Sequence, residues 1–290
     1  MQKKAYLLIL LAASLWATTG VFLSLLTAAG LTSLQSVAVR NGLATILYFI
    51  FLSMTDPKAL KIRLADCRYF IGTGILSVVF FNWCLFTTIQ SSSLSVASVL
   101  LYTSPVFVMI LSTLFFHEAI TPAKLLALCL TLLGCMLVTG LLPPGGESIS
   151  GKTILFGLGS GFGYALYTIF SKFALAKYPS GTVSFYTFLF ATIGSLPLSG
   201  LLKNPQVLLD QRAMIGGLCM GIFCCLLPYI LYTEGLNHAE AGKASILSSA
   251  EPFVASLLGI ILFHEVVTPF KLLGMLAILT AIILLNHKSK

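Results

Sequence analysis

Hydrophobic residues in this chain come in long blocks rather than in alternation. With a window of about 20 residues, apolar runs fall near 6–26, 34–54, 69–88, 95–115, 123–141, 153–172, 182–202, 213–233, 243–263 and 270–286. At about 1.5 Å of rise per residue, runs of this length match the hydrocarbon core of a bilayer, so the pattern predicts ten membrane-spanning helices. Charges and prolines gather in the breaks, as in "TDPKALKIRLADCR", "HEAITPAK" and "KNPQVLLDQR", and no stretch remains for a soluble domain. Pro228 interrupts the eighth run. The opening "MQKKAYLLILLAASLWA" has the outline of a secretory signal, but its apolar stretch continues to Leu26. It reads as a retained first helix.

Composition agrees with this pattern and removes other classes. The chain is 58% hydrophobic and only 9% charged, against roughly 25% charged residues in ordinary soluble domains. The net charge of +8 is distributed unevenly between alternate loops. With the N-terminus inside, one side collects twelve Lys and Arg residues, among them Lys3, Lys4, Lys58, Arg63, Lys124 and Lys172, and the other holds only Lys152, Lys203, Arg212 and Lys271. By the positive-inside rule both termini are expected to be cytoplasmic. A nucleic-acid partner would need a soluble basic face, which this pattern lacks. The seven cysteines mostly lie inside apolar runs without metal-ligand spacing and read as small hydrophobic residues.

A repeat organises the whole. "VASVLLYTSPVFVMILSTLFFHEAITPAKLL" at 96–126 returns as "KASILSSAEPFVASLLGIILFHEVVTPFKLL" at 243–273, a constant shift of 147 residues. Pro105, His117, Glu118, Thr121 and Lys124 map onto Pro252, His264, Glu265, Thr268 and Lys271. Five predicted spans per half is an odd number, so consecutive halves cross the membrane in opposite senses. The expected fold is an all-α membrane protein of ten transmembrane helices in two inverted five-helix repeats, 1–144 and 153–290, joined by a loop at 145–152. Inverted repeats of this sort suit a carrier that opens alternately to either side of a midplane site.

The ten spans, the duplication, "SLWATTG" in span one, "VRNGLA" in span two and the paired "FHE..TP.KLL" strings resemble an EamA-type member of the drug/metabolite transporter superfamily over essentially the whole chain. The resemblance implies a compact ten-helix carrier of bacterial inner membranes, often an exporter of amino acids or related metabolites, with a central cavity between its halves. One departure is visible: the end of span one, Leu23 and Ser24, lacks the basic residue that Lys172 supplies in span six.

An ionisable side chain near a helix centre in the bilayer costs about 2.5 to 3.5 kcal/mol on insertion scales, so each one asks for a reason. Glu251 lies roughly 13 Å into span nine, and Pro252 after it frees a backbone carbonyl. It is the leading candidate for binding a substrate ammonium or a proton; a protonated carboxyl bonded between helices is the structural alternative. Arg40, about 10 Å into span two, reads as a helix-orienting arginine, a clamp for a substrate carboxylate, or a partner of Glu251. Trp16, Tyr102, Tyr164, Tyr167, Asn82, Trp83, Tyr229 and Tyr232 fall at comparable depths. Aromatic rings with polar tips can line a pocket or pack helices.

Three other motifs weaken in context. "PPGGESISGKT" at 143–153 spells a nucleotide-binding loop from Gly146 through Lys152 and Thr153, but a working one needs a strand before it and a helix after it. Here it joins spans five and six, with Ser150 placed to cap the next helix. "FHEAIT" and "FHEVVT" put Thr121 and Thr268 where a zinc-protease helix needs its second histidine; these threonines read as helix caps followed by proline. "GLGSGFG" at 157–163 lacks the last glycine of a dinucleotide fingerprint and instead gives small-xxx-small spacing for close helix packing.

These readings converge on a secondary transporter of the cell (inner or plasma) membrane, moving a small metabolite by alternating access. Export of amino acids or related amines is expected, with Glu251 as the candidate for proton coupling. The alternatives are an uncoupled facilitator or importer of a small metabolite or cationic drug, and a membrane receptor or assembly subunit without transport. No enzyme constellation, cofactor, metal, nucleotide or nucleic-acid partner is expected; the partners are a small-molecule substrate, the lipid bilayer and protons, with the chain as a monomer or homodimer.

Overall fold

The computed structural model describes residues 2–141, 150–203 and 205–287. These residues are almost entirely helical, with no strand among them. Eight helical stretches are long and apolar enough to cross a membrane: α1 (Gln2–Ala28), α2 (Ser33–Thr55), α3 (Leu64–Ser91), α4 (Leu94–Phe116), α6 (Gly151–Leu175), α7 (Ser180–Ser199), α8 (Gln211–Asn237) and α9 (Ala241–Phe263). The expected fifth and tenth spans fall on shorter apolar helices, α5 (Pro122–Val138) and α10 (Pro269–Leu285). Each opens on a proline preceded by a capping threonine. The Lys124 and Lys271 amides donate to the Thr121 and Thr268 hydroxyls at 3.3 and 3.2 Å, so the helices begin where the sequence places them.

The loop carrying the nucleotide-binding spelling lies mostly outside the described residues, which resume at Ser150. Gly151, Lys152 and Thr153 open α6, and the Ser150 hydroxyl accepts the Thr153 amide at 3.1 Å. No strand precedes them among the described residues.

The bundle is apolar on its outer surface, as lipid demands, and buries polar groups among the hydrophobic side chains of its interior. Large side chains such as Phe49, Leu114, Ile193 and Ile261 are exposed, while Asn41, Thr73, Thr187 and Thr233 are fully buried. Those buried groups pair across helices. Thr45 and Thr192 bond at 2.9 Å between α2 and α7, Asn41 donates to Ser195 at 3.2 Å, and Thr187 donates to Thr73 at 2.7 Å. Such bonds and close backbone approach hold helices together where apolar burial supplies little force.

The small residues of "GLGSGFG" supply that approach. A Cβ on Gly157 or Gly161 would overlap Leu100 or Thr103 of α4, and one on Gly163 would overlap Phe80 and Phe81 of α3. Thus α6 lies against two neighbours at once, one on each face. The α5 and α10 helices meet the same way, Gly134 against the Gly274 carbonyl at 2.8 Å from an added Cβ. The main packing pairs are α1 with α8 and α3 with α6, α4 with α6 and α1 with α9, and α2 with α7 and α5 with α10. Exchanging α1–α5 with α6–α10 maps each of these pairs onto another or onto itself.

Several helices are irregular at mid-depth. α1 breaks at Ala17–Thr18, α4 at Tyr102–Thr103 and α9 at Ser249–Ala250. α3 and α8 widen to π-helical turns at Gly72–Val79 and Met220–Leu226, the latter running into Pro228. Such interruptions leave backbone groups and side chains free to face a cavity.

Gly161→Leu is expected to destabilise the bundle by about 2 kcal/mol or more through overpacking, lowering the melting temperature in detergent. Gly20, exposed and with open space at its Cβ position, should accept the same change with little effect; equal losses at both sites would contradict this packing role for α6.

Candidate functional site

The irregular segments converge on one cavity of about 160 Å³, room for on the order of ten water molecules. Leu23 and exposed Ser33 line its mouth, toward the Ser150 end of the bundle, buried Ser36 lies one turn further in, and Trp16, Tyr164, Tyr229 and Glu251 line its base. The opposite end, which holds Lys124, Lys172 and Glu240, is called the Lys-rich end below.

Position in the helices decides which side chains reach the cavity. Arg40 projects from α2, and its Nη2 donates to Asn82 Oδ1 at 3.3 Å. Asn82 in turn donates to the Val78 carbonyl at 2.6 Å, so Arg40 is aimed by a fixed amide. Its Nε is buried without a hydrogen-bond partner among the described residues. Glu251 also lines the cavity and begins the second half of broken helix α9, with Tyr102 beside its carboxyl. Arg40 and Glu251 make no ion pair with each other, so the expected alternative of direct pairing is not the arrangement in this conformation.

The base is aromatic. Trp16 meets Tyr229 and Tyr232 with ring centroids at 5.3 Å each and Tyr164 at 6.5 Å. Tyr167 packs edge-on to Tyr229 at 5.0 Å. Below them Tyr167 and Thr233 bond at 2.6 Å, and Tyr232 and Thr168 at 2.8 Å. The layer is thus a hydrogen-bonded floor that separates the cavity from the Lys-rich end.

Of the residues singled out in the sequence, Trp16, Arg40, Asn82, Tyr164, Tyr229 and Glu251 line this cavity. Tyr102 lies behind Glu251, and Tyr167 lies within the floor, beside a small void. Trp83 points the other way, half exposed against Phe80 and Phe156. Consecutive helical positions differ by about 100°, so Asn82 facing the cavity turns Trp83 outward. Thr19, Ser33, Ser36 and Cys224 also line the cavity and were not singled out. Cys224 is a free thiol 3.7 Å from Thr18. No group of three or more His, Cys, Asp or Glu side chains gathers at metal-binding distance among the described residues.

The Lys-rich end is closed by polar contacts, some within the second half of the chain and some between the halves, the latter being Lys124 with Glu240 and Lys177 with Asp66. Lys124 pairs with Glu240 at 2.5 Å, Lys243 with Glu240 at 3.4 Å, and Lys177 with Asp66 at 2.6 Å. Lys172 reaches the Leu236 and Ala239 carbonyls at the end of α8.

A lipid-faced helical bundle around a cavity that carries charged and polar groups on a largely apolar lining, closed at one end and open toward the other, has the architecture of a multi-pass membrane transport protein. The sequence profile of the EamA-like transporter family matches residues 3–140 and again 151–287, and the chain belongs to that family. It is 32% identical over 198 residues to an uncharacterized transporter of Archaeoglobus fulgidus, covering 68% of each chain. It is 27% identical to the uncharacterized inner membrane transporter YicL of Salmonella typhimurium, over 99% of this chain and 97% of that one. The threonine/homoserine exporter RhtA of Escherichia coli is 26% identical over 84% of this chain and 78% of its own length. A protein of known crystal structure shares the fold with a TM-score of 0.83, at 17% identity, over 98% of this chain and 96% of that one.

Burial pushes the Glu240 carboxyl up, but Lys124 and Lys243 beside it pull it down further, leaving it below its ordinary value of 4.5. A carboxyl lowered by folding contributes stability above its unfolded pKa and loses it as pH falls through the folded one. Thermal melts at falling pH should therefore show a loss below about pH 4.5 that is smaller in Glu240→Gln. An unchanged acid dependence in that variant would remove Glu240 from the account.

Proposed function

We propose that this chain is a secondary active transporter that exports a small zwitterionic metabolite, an amino acid or a close relative, by alternating access. The observation that carries the reading is that Arg40 and Glu251 both line one cavity without an ion pair between them. Two opposite charges held apart in a low-dielectric site are each costly alone. A ligand carrying a carboxylate and an ammonium relieves both: the carboxylate takes the unused Arg40 donors and the ammonium takes Glu251. The apolar wall from Phe81, Leu85 and Leu101 accepts a short aliphatic side chain. The relation to a threonine/homoserine exporter supports this substrate class.

The mechanism needs two five-helix halves, 1–144 and 153–290 with the join at 145–152, related by a pseudo-two-fold axis in the membrane plane, so that α5 and α10 also span the bilayer to give ten spans. The paired family match, the exchange symmetry of the packing pairs and the Thr45–Thr192 bond between residues 147 apart support it. The excess of Lys and Arg at the Lys-rich end supports a cytoplasmic location for that end and for both termini. On this orientation the conformation described is open to the outside. Loss of the ligand ammonium to bulk water leaves Glu251 free to take up a proton for the return step, which makes it the proposed coupling residue. The functional unit is a monomer or homodimer.

Trp16 in the cavity base reports binding once the other tryptophan is removed by Trp83→Phe. Titration in detergent should give saturable fluorescence changes with threonine, homoserine or another small amino acid. Affinity is expected to fall tenfold or more, as for loss of a charge-assisted hydrogen-bond pair, when the ligand carboxylate is esterified or Arg40 is changed to Gln. Esters that bind as tightly as the acids would sink the zwitterion reading.

A further inference from the structure

The string "FHE..TP.K" occurs twice with the same backbone but with different side-chain partners. His117 and His264 both end their helices in the left-handed region, at φ 54° and 52°. The next amide returns to the carbonyl six positions earlier in each case, Glu118 to Ser112 at 3.3 Å and Glu265 to Gly259 at 3.1 Å. Both threonine caps are formed. The divergence begins at the carboxylates.

At the Lys-rich end Glu118 reaches across to the other half of the chain. Its two oxygens accept the Ala241 amide at 2.6 Å and the Gly242 amide at 3.0 Å, capping the start of α9. Lys124, freed from Glu118, pairs with Glu240 of the same turn. At the Ser150 end Glu265 instead bonds Lys271 within its own loop at 2.5 Å and folds over Gly259. The positions that correspond to Ala241 and Gly242 are Leu94 and Ser95 at the start of α4, where the nearby Ser93 hydroxyl accepts the Val96 amide at 3.3 Å.

One motif on one backbone with two pairing modes has the form of a two-state element. We propose that Glu118 and Glu265 are alternating latches of the transport cycle: each caps the opposite half's helix when its own end is closed and retires to its own loop lysine when that end opens. Each is a positioning residue, acting through a helix start and not on the substrate. In the alternate state Glu265 leaves Lys271 and caps Leu94 and Ser95, while Glu118 falls back on Lys124. A helix N-terminus favours a carboxylate through its free amides and dipole, so the exchange conserves the type of contact while moving it from end to end.

The latches are unequal. The Lys-rich end also has Lys172 on the α8 carbonyls and Glu240 between Lys124 and Lys243. The matching positions at the other end are Leu25 and Ser93, which carry no charge. The resting equilibrium is therefore biased toward closure of the Lys-rich end, the state described here.

This inference rests on the alternating-access reading but not on the substrate. It is tested with spin labels on unnatural amino acids, leaving the seven native cysteines in place, in the full chain in lipid nanodiscs without substrate. The repeat-related exposed pairs Ile120 with Asn237 and Gln90 with Val267 report the two ends. Glu118→Gln should lengthen the first distance and shorten the second, changing the ratio of states by about tenfold. Glu265→Gln should move the ratio the opposite way. Lys271→Met, which frees Glu265 from its loop partner, should move it in the same sense as Glu118→Gln and serves if that variant fails to fold. Shifts of both glutamate variants in one direction, or no shift with Lys271→Met, would overturn the latch, whereas a wrong substrate class would leave these populations unchanged.

Discussion

Lipid gives apolar side chains no reason to leave it, so this bundle depends on polar pairing and on backbone contact between helices. Everything else follows from that constraint. Glycines of α6 let it touch α3 and α4 together, and buried threonines and Asn41 bond between helices instead of to water. Where helices break or widen at mid-depth the same constraint forces the freed polar groups inward, and there they frame a cavity lined by both Arg40 and Glu251.

The two ends of the bundle solve the same problem differently. At the Lys-rich end, ion pairs and carbonyl contacts tie α4, α5 and α6 to the turn between α8 and α9. At the Ser150 end Lys271 pairs with Glu265 inside its own loop, Ser93 stands where the other end has Glu240, and Ser91 bonds Thr153 at 3.1 Å. A cavity that is sealed on the charged side by an aromatic floor and bordered on the other by serines can be entered from one side only. That asymmetry is a property of sequence differences between otherwise matching halves, Lys172 against Leu25 and Glu240 against Ser93.

Much of this was legible in the sequence because periodicity and local chemistry carry it. Runs of about 20 apolar residues located the helices, the Thr-Pro pairs located the starts of α5 and α10, and Glu251 before Pro252 marked the α9 break. Side-chain direction was less legible. Asn82 and Trp83 are neighbours of equal depth, and only helix rotation, set by packing, turns one inward and the other to lipid. The α1 break after Trp16 has no proline to announce it, and the π-helical turn at Gly72–Val79 has none either. Thr19, Ser33 and Cys224 therefore entered the site unannounced, since in sequence they look like ordinary small residues of membrane helices.

The central claim is that this cavity carries a small zwitterion from one side of a membrane to the other. Counterflow of labelled threonine or homoserine in proteoliposomes tests it most directly, comparing the native chain with Glu251→Gln and Arg40→Gln. The account predicts accumulation driven by unlabelled ligand inside the vesicles, and its loss in both variants with the fold intact. Absence of counterflow for every small amino acid with the folded native chain, or undiminished counterflow in both variants, would contradict it.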